Sequence, residues 1–198
     1  GDNRTDYTYW VVPRFNLVPT TWFEIGQEYE IKMEFTDFNF NENENYLDRT
    51  TIMNTKTRFK FFKSILAITH RYRFLDTGSY LRPPDGGERL YGRTDESYEH
   101  RFDLRYDYMP VTGFTLYTRS NYRFQESNRL GEVDGGMGVV STRYYDSGEM
   151  LLGVNRTTKV TESGNVDLDI GWVKRFGPNL TPERREFWQV DMNVEINF

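Results

Sequence analysis

The chain lacks cysteine altogether and lacks long apolar runs. Without cysteine it has no disulfide framework, no thiolate metal site and no cysteine nucleophile. Its apolar stretches are short, for example residues 64–68 (SILAI), whereas a membrane-spanning helix needs about 18–20 apolar residues. The sequence therefore excludes membrane-spanning helices.

An excess of basic charge and a leader peptide are also absent. The 25 Lys and Arg residues against 30 Asp and Glu residues give a net charge of −5, which argues against a nucleic-acid partner. Residues 1–4 (GDNR) show no signal peptide, either because one was removed or because none existed.

What the chain has in quantity is aromatic residues and strict alternation. The hydrophobic share is 37% and the aromatic share 17%, and a disordered chain would lack the aromatics. Over 22–35 the odd positions are mostly apolar and the even ones mostly charged, and over 98–108 the parity is reversed. Such alternation predicts β-strands with one apolar and one polar face.

About ten alternating segments follow one another without a domain boundary, so residues 1–198 are predicted to form a single domain. The predicted strands are 5–17, 21–35, 46–61, 63–75, 97–109, 113–125, 135–145, 149–160, 165–176 and 187–198. Turn residues separate them, including Asp146-Ser147-Gly148. Longer polar loops are predicted over 36–45, 76–96 and 126–134.

Either a soluble sheet protein or a transmembrane barrel fits this pattern. The strands exceed the usual length of about 5–6 residues and reach the roughly 9–11 needed to cross a bilayer. Aromatics cluster near strand ends, as in interfacial girdles, and the polar face carries both signs of charge. These features favour an all-β, antiparallel, up-and-down transmembrane β-barrel of about ten strands.

This fold assigns two sets of residues to two faces. The predicted lumen-lining charges are Glu24, Glu28, Glu30, Lys32, Lys56, Arg58, Lys60, Arg71, Arg73, Glu99, Arg101, Asp103, Arg105, Asp107, Arg119, Arg123, Asp167 and Asp169. The predicted lipid-facing aromatic girdle is Tyr7, Tyr9, Phe23, Tyr29, Phe35, Tyr72, Phe74, Tyr98, Phe102 and Tyr108.

Charge complementarity suggests registers for two hairpins, because opposite charges facing each other stabilise a ladder. A turn through Val18-Pro19 sets Arg14 opposite Glu24 and Asp6 opposite Lys32. A turn through Pro110-Val111 sets Asp103 opposite Arg119 and Glu99 opposite Arg123.

The last segment, residues 188–198 (WQVDMNVEINF), alternates throughout and stops on phenylalanine. It resembles the C-terminal strand of bacterial outer-membrane β-barrel proteins, in which such residues act as the assembly signal. Here the signal residues would be Trp188, Val190, Met192, Val194, Ile196 and Phe198. The resemblance implies the outer membrane of a Gram-negative bacterium, insertion by the barrel-assembly machinery and a signal peptide already removed. It singles out no particular family.

The strand count conflicts with this class in one respect. Short turns and both termini usually lie on its periplasmic side, yet ten strands with short connections at 18–20, 61–64 and 109–113 would leave both ends outside. A miscounted strand after Gly113, long loops on the periplasmic side, or a chain that is the C-terminal part of a larger barrel would each resolve the conflict.

No motif of catalysis or phosphate binding occurs, so neither an enzyme nor a cofactor is predicted. His70 and His100 fall on the apolar parity of neighbouring strands, side by side in one register, and are interpreted as interfacial residues rather than metal ligands. A surface protease using His100 with Asp85 or Asp95 is an alternative that the spacing does not support.

A basic cluster around one tight turn, Lys56, Arg58, Lys60 and Lys63, is either an anion-attracting pore mouth or a set of solvated charges that neighbouring glutamates neutralise.

The predicted function is a porin-like channel, or a non-catalytic structural scaffold whose narrow lumen is filled by side chains. Its partners would be the lipid bilayer and, through loops 36–45 and 76–96, another protein. The alternative outside the membrane is a soluble β-barrel that holds an apolar ligand, with Phe23, Ile25, Tyr29 and Ile31 pointing inward.

Overall fold

A computed structural model describes residues 4–38, 45–81, 90–133, 136–161, 164–178 and 185–196. These residues form almost entirely strands: β1 (Arg4–Val11), β2 (Arg14–Thr20), β3 (Phe23–Phe38), β4 (Tyr46–Phe61), β5 (Ser64–Leu81), β6 (Leu90–Val111), β7 (Phe114–Val133), β8 (Gly136–Thr161), β9 (Gly164–Phe176) and β10 (Glu186–Ile196). Within these ranges, no helix has the length and apolar character to cross a membrane.

All ten strands belong to one antiparallel sheet, in which each strand from β3 to β10 pairs with its neighbours in sequence. The predicted all-β, antiparallel, up-and-down arrangement is confirmed. β1 and β2 both pair with β3 in a single register, separated at Pro13, which has no N–H for the ladder. The Pro13 carbonyl still accepts the N–H of Tyr29 at 3.0 Å. β1 and β2 therefore form one arm broken at a proline, and the sheet has nine arms.

The prediction of two strands over 135–145 and 149–160 is wrong, because a single 26-residue strand, β8, covers both. The turn predicted at Asp146-Ser147-Gly148 lies inside it. A Cβ atom on Gly148 would clash with the ring of Phe176, so glycine here permits close packing of an aromatic ring. The strand was thus miscounted after Gly113, one of the three explanations considered above.

The connections fall on two rims of the sheet. The β2–β3, β4–β5, β6–β7 and β8–β9 connections lie at one end, the turn rim, and the others lie at the opposite end, the loop rim. Because the arms number nine, β1 starts at the loop rim and β10 ends at the turn rim. The predicted placement of both ends on one side is therefore wrong.

The register predicted for the first hairpin is also wrong. The observed partners are Arg14–Glu28 and Asp6–Thr36, in place of Arg14–Glu24 and Asp6–Lys32. Pro19 lies within β2 rather than in the turn, and the register shifts between Leu17 and Thr20. The reversal falls at 21–22, which moves every partner along β3.

The second hairpin departs from prediction in the same way. The observed partners are Asp103–Asn121 and Glu99–Gln125, in place of Asp103–Arg119 and Glu99–Arg123. The shift again arises next to a proline, between Tyr108 and Val111. Arg123 nevertheless reaches Glu99 diagonally, at 3.0 Å.

Most of the predicted loops are strand. β5 continues to Leu81 and β6 begins at Leu90, so only 82–89 of the loop predicted over 76–96 lies outside the described residues. The loop predicted over 126–134 is largely β7. Of the loop predicted over 36–45, residues 36–38 belong to β3 and Asn45 lies just before β4, while 39–44 lie outside the described residues. Polar residues continue the ladder there because bulges and ion pairs accommodate them: Thr94 is an extra residue whose hydroxyl donates to the Thr77 carbonyl at 3.0 Å.

Candidate lumen wall and membrane face

The strand registers bring the predicted lumen charges onto one face of the sheet. Away from the register shifts, residues at even positions of β1–β4 share this face with odd positions of β5–β10. Every predicted lumen-lining residue, from Glu24 to Asp169, follows this parity. We call this side the polar face. That it lines a lumen stays a prediction.

The predicted girdle residues all lie on the opposite side, the apolar face, together with four of the terminal-strand residues. The side chain of Ile196 and residue Phe198 lie outside the part of the chain whose side chains are described. Many apolar side chains here are exposed, for example Phe102 at 44%, Ile31 at 47% and Trp188 at 72%. A soluble barrel closed around an apolar ligand would enclose this face, so the exposure favours lipid contact.

The border of the apolar face at the loop rim is oblique to the strands. Towards the loop rim, the apolar series first meets an acidic residue at Asp37 on β3 and at Asp146 on β8. Following the register from Asp146 across five steps leads through Phe124, His100, Tyr72 and Met53 to Tyr29. Asp37 lies eight residues beyond Tyr29 on the same strand.

This offset measures the tilt of the strands against the border. Eight residues span about 26 Å along a strand, and five strand spacings span about 24 Å, so the angle is about 45°. Transmembrane barrel strands are tilted by about 35–45°. The turn-rim border moves in the same sense: Phe23 begins β3 in the same row as Trp188, whereas β10 continues the series to Val194. The apolar face is thus an inclined band, as a bilayer would require.

Ion pairs hold many of the charged side chains on the polar face. They include Arg14–Glu28 and Glu24–Lys60 at 2.5 Å, Lys32–Glu34 at 2.8 Å, Arg105–Asp107 at 2.7 Å, Arg101–Asp103 at 3.1 Å and Arg175–Glu149 at 2.5 Å. All are partly exposed, so each contributes little to stability. Their main effect is to fix the positions of the charged side chains on the polar face.

One glutamate offsets part of the charge of the predicted basic mouth. Glu24 binds Lys60 and also lies 3.8 Å from Arg58. Lys63 lies in the turn and donates to the Pro110 carbonyl. This agrees with the interpretation that glutamates on the neighbouring strand offset the cluster.

A stronger basic feature, which the sequence did not reveal, crosses three strands. Arg71, Arg101 and Arg123 lie directly opposite one another on β5, β6 and β7. We call these three residues the arginine row. Four residues nearer the turn rim, Arg105 lies opposite Arg119. Among the described residues no carboxylate lies within 4.0 Å of Arg71. Only the true register could have exposed the row.

The last two strands show the opposite arrangement. Asp169 on β9 lies directly opposite Asp191 on β10. The Tyr117 hydroxyl donates to Asp169, and the Tyr117 ring lies over Gly153, where a Cβ atom would clash with it. Gly153 is therefore the position that lets an aromatic ring lie flat on the polar face. Neither Tyr117 nor Gly153 was singled out from the sequence.

The two histidines are in contact, although not directly opposite as predicted. Tyr72 lies opposite His100 and Phe102 opposite His70, yet His70 Nε2 is 3.2 Å from His100 Nδ1. The Phe102 ring stacks on His70 with centroids 4.4 Å apart. In the described ranges no group of three His, Cys, Asp or Glu side chains could hold a metal. Asp95 lies on the polar face, away from His100, and Asp85 lies outside the described residues.

No protein-family model matches the chain, and no curated protein matches it. Among solved structures, the chain is similar to the crystal structure of the beta domain of the Bordetella autotransporter Brka. The TM-score is 0.41 and the sequence identity 10%, over 96% of this chain and 76% of that chain.

The long antiparallel meander, its exposed apolar face and the inclination of that face are those of an outer-membrane β-barrel chain, as the resemblance of the terminal strand implies. Such a chain lies in the outer membrane of Gram-negative bacteria.

Proposed function

We propose that this chain forms a porin-like pore with a preference for anions and with no catalytic activity. The observation that carries the proposal is the arginine row, Arg71, Arg101 and Arg123, on the polar face. Like charges directly opposite one another destabilise a ladder, so such a row is not expected from sheet stability alone. Rings of basic side chains are the usual device of anion pores.

The charge of the polar face is uneven around the sheet. On β5–β7 seven arginines face four carboxylates: Arg71, Arg73, Arg101, Arg105, Arg119, Arg123 and Arg129 against Asp95, Glu99, Asp103 and Asp107. On β9–β10 one arginine faces four carboxylates: Arg175 against Asp167, Asp169, Asp191 and Glu195. Arginine stays charged at any working pH, and low-dielectric walls focus such a field. The β5–β7 wall would therefore concentrate anions.

A filled, non-conducting scaffold is the second candidate, and one observation favours it. On the polar face Tyr117 is only 7% exposed and Val173 only 2% exposed. Side chains thus already cover part of this face, and a narrow barrel can be filled entirely.

A pore also requires that the two edges of the sheet come together to close a barrel, and this closure is a further part of the proposal. In the described residues no ladder joins β1 to β10. Both strands run from the loop rim to the turn rim, so a direct β1–β10 ladder would be parallel, unlike every other pairing in the sheet.

The test is ion conduction by the purified chain in planar bilayers. We expect discrete conductance steps and, across a KCl gradient, a reversal potential on the anion-selective side. The double variant Arg71→Gln/Arg101→Gln should lower the anion-to-cation permeability ratio by about twofold or more. Arg156→Gln is the control for loss of arginine charge elsewhere, because it removes one positive charge from the exposed apolar face, against two from the arginine row in the double variant.

Folded, inserted protein without conductance would establish the scaffold instead. A permeability ratio unchanged in the double variant would remove the role of the arginine row.

A further inference from the structure

A second charged cluster lies on the apolar face, where that face reaches the loop rim. Asp76 is fully buried there and is bound by two of the three guanidinium nitrogens of Arg49, Nη2 and Nε, the latter at 2.9 Å. Arg93 Nε lies 3.2 Å from the same carboxylate. A buried carboxylate thus fixes two guanidinium groups at the edge of the lipid-facing band.

The carboxylates of this cluster are hidden and the guanidinium groups are not. Asp76 is 0% and Glu96 12% exposed, whereas Arg49 is 37% and Arg93 42% exposed. Glu96 is held by Arg93 at 3.1 Å and by Asn128 at 3.2 Å. What the cluster presents to its surroundings is therefore positive charge and N–H donors, although its formal charges balance.

The ring of Tyr91 stacks on the guanidinium group of Arg49, with the guanidinium carbon 4.6 Å from the ring centroid. Burial, and then the nearby Asp76 carboxylate, raise the pKa of Tyr91, so its hydroxyl stays protonated. Stacking on an aromatic face holds a guanidinium flat. Because Asp76 takes the Nε–Nη2 edge of Arg49, a further anion would bind at the remaining N–H donors of this group.

An apolar groove adjoins the cluster. Its volume is about 640 Å³, and it is lined by Tyr7, Tyr9, Met33, Phe35, Leu47 and Tyr80. Met33 lies directly opposite Arg49 in the β3–β4 ladder, so the groove begins beside the guanidinium. Pockets that hold small molecules have volumes of about 300–1,000 Å³.

We infer that Arg49, Arg93 and the adjoining groove bind an anionic phospholipid, with its phosphate on the two guanidinium groups and one acyl chain in the groove. Arginine binds phosphate oxygens in pairs, and the position at the edge of the apolar band is the depth of lipid headgroups. The inference rests on the membrane location of the proposed function.

The test is native mass spectrometry of the full chain released from detergent, with phosphatidylglycerol or phosphatidylcholine of identical acyl chains added. We expect one retained phosphatidylglycerol and weaker retention of phosphatidylcholine. Arg93→Gln should weaken phosphatidylglycerol binding about tenfold, while Arg49 still neutralises Asp76. Met33→Trp, which narrows the groove, should weaken both lipids without changing any charge.

Arg156→Gln is the matched control, since it removes one arginine from the same face at the other rim and should leave binding unchanged. Inorganic phosphate is added as a competitor; displacement at low concentration would point to a free-anion site and overturn the lipid assignment. Equal retention of both lipids, or wild-type affinity in folded Arg93→Gln, would overturn it as well.

The failure of this inference differs from failure of the proposed function. A chain that stays monomeric and folded without detergent overturns both. A chain that inserts and conducts but shows no preference for phosphatidylglycerol overturns only the lipid site.

Discussion

The strands β5–β7 and the strands β9–β10 present opposite charges on the same face of one sheet. In the first group the register sets arginine against arginine, and in the second it sets aspartate against aspartate. Repulsion is relieved differently in the two. Asp103, two residues along the same strand, binds Arg101 and the diagonal Glu99 binds Arg123, whereas a tyrosine hydroxyl from β7 binds Asp169. The comparison shows that cross-strand pairing here groups like charges instead of dispersing them, which sets up a field across the face.

The largest loss of stability is expected from a change at the contact between the two groups of strands, where Tyr117 of β7 binds Asp169 of β9. Gly153→Leu would drive a side chain into the Tyr117 ring and displace the hydroxyl that binds Asp169. We expect the free energy of unfolding in urea to fall by about 1–3 kcal/mol.

Gly26→Ala is the control for that variant, because a Cβ there meets its neighbour, Asn16, at an ordinary 3.5 Å. Similar losses in both variants would mean that the contact between Tyr117 and Gly153 does not hold the two groups together.

A charge reversal in the arginine row should erase the difference between the groups. Arg101→Glu places a carboxylate between Arg71 and Arg123, which turns the row into alternating charges. We expect the reversal potential in a KCl gradient to move towards cation selectivity, with stability little changed or slightly raised. A shift towards anions would contradict the proposal.

The smallest change in stability is expected from a substitution in the acidic strands, β9–β10. Asp191→Asn removes the like charge opposite Asp169 and should raise the free energy of unfolding by a few tenths of a kcal/mol. Anion selectivity should rise slightly in the same variant. Asp167→Asn is its comparison, since Asp167 lies opposite Asn193 and relieves no directly opposed charge. Equal changes in stability would show that the opposition of Asp169 and Asp191 costs nothing.

The face of each residue could be predicted from sequence, because alternation with a period of two is local. The partner of each residue on the neighbouring strand could not be predicted, because the register depends on where the chain reverses direction. Pro19 and Pro110 looked like turn residues, yet each lies within a strand, so charge matching chose the wrong partners for Arg14 and Asp103. The arginine row stayed hidden for that reason.

The strand count shows a second limit of local signals. Gly148 looked like a turn residue, and its reason for being glycine is a ring from β9, remote in sequence. Asp76 looked like a loop residue because the arginines that neutralise it, Arg49 and Arg93, come from other strands. Such tertiary partners cannot be read from a single segment.

The length of β8 sets how far the sheet extends along the membrane normal. Its 26 residues extend about 86 Å along the strand, or about 60 Å along the membrane normal at a 45° tilt. The apolar band of a transmembrane barrel is only about 25 Å tall. More than half of this strand therefore stands clear of the lipid, and because β7 stays paired with both β8 and β6 as far as Arg129, the multistranded wall itself continues beyond the membrane surface.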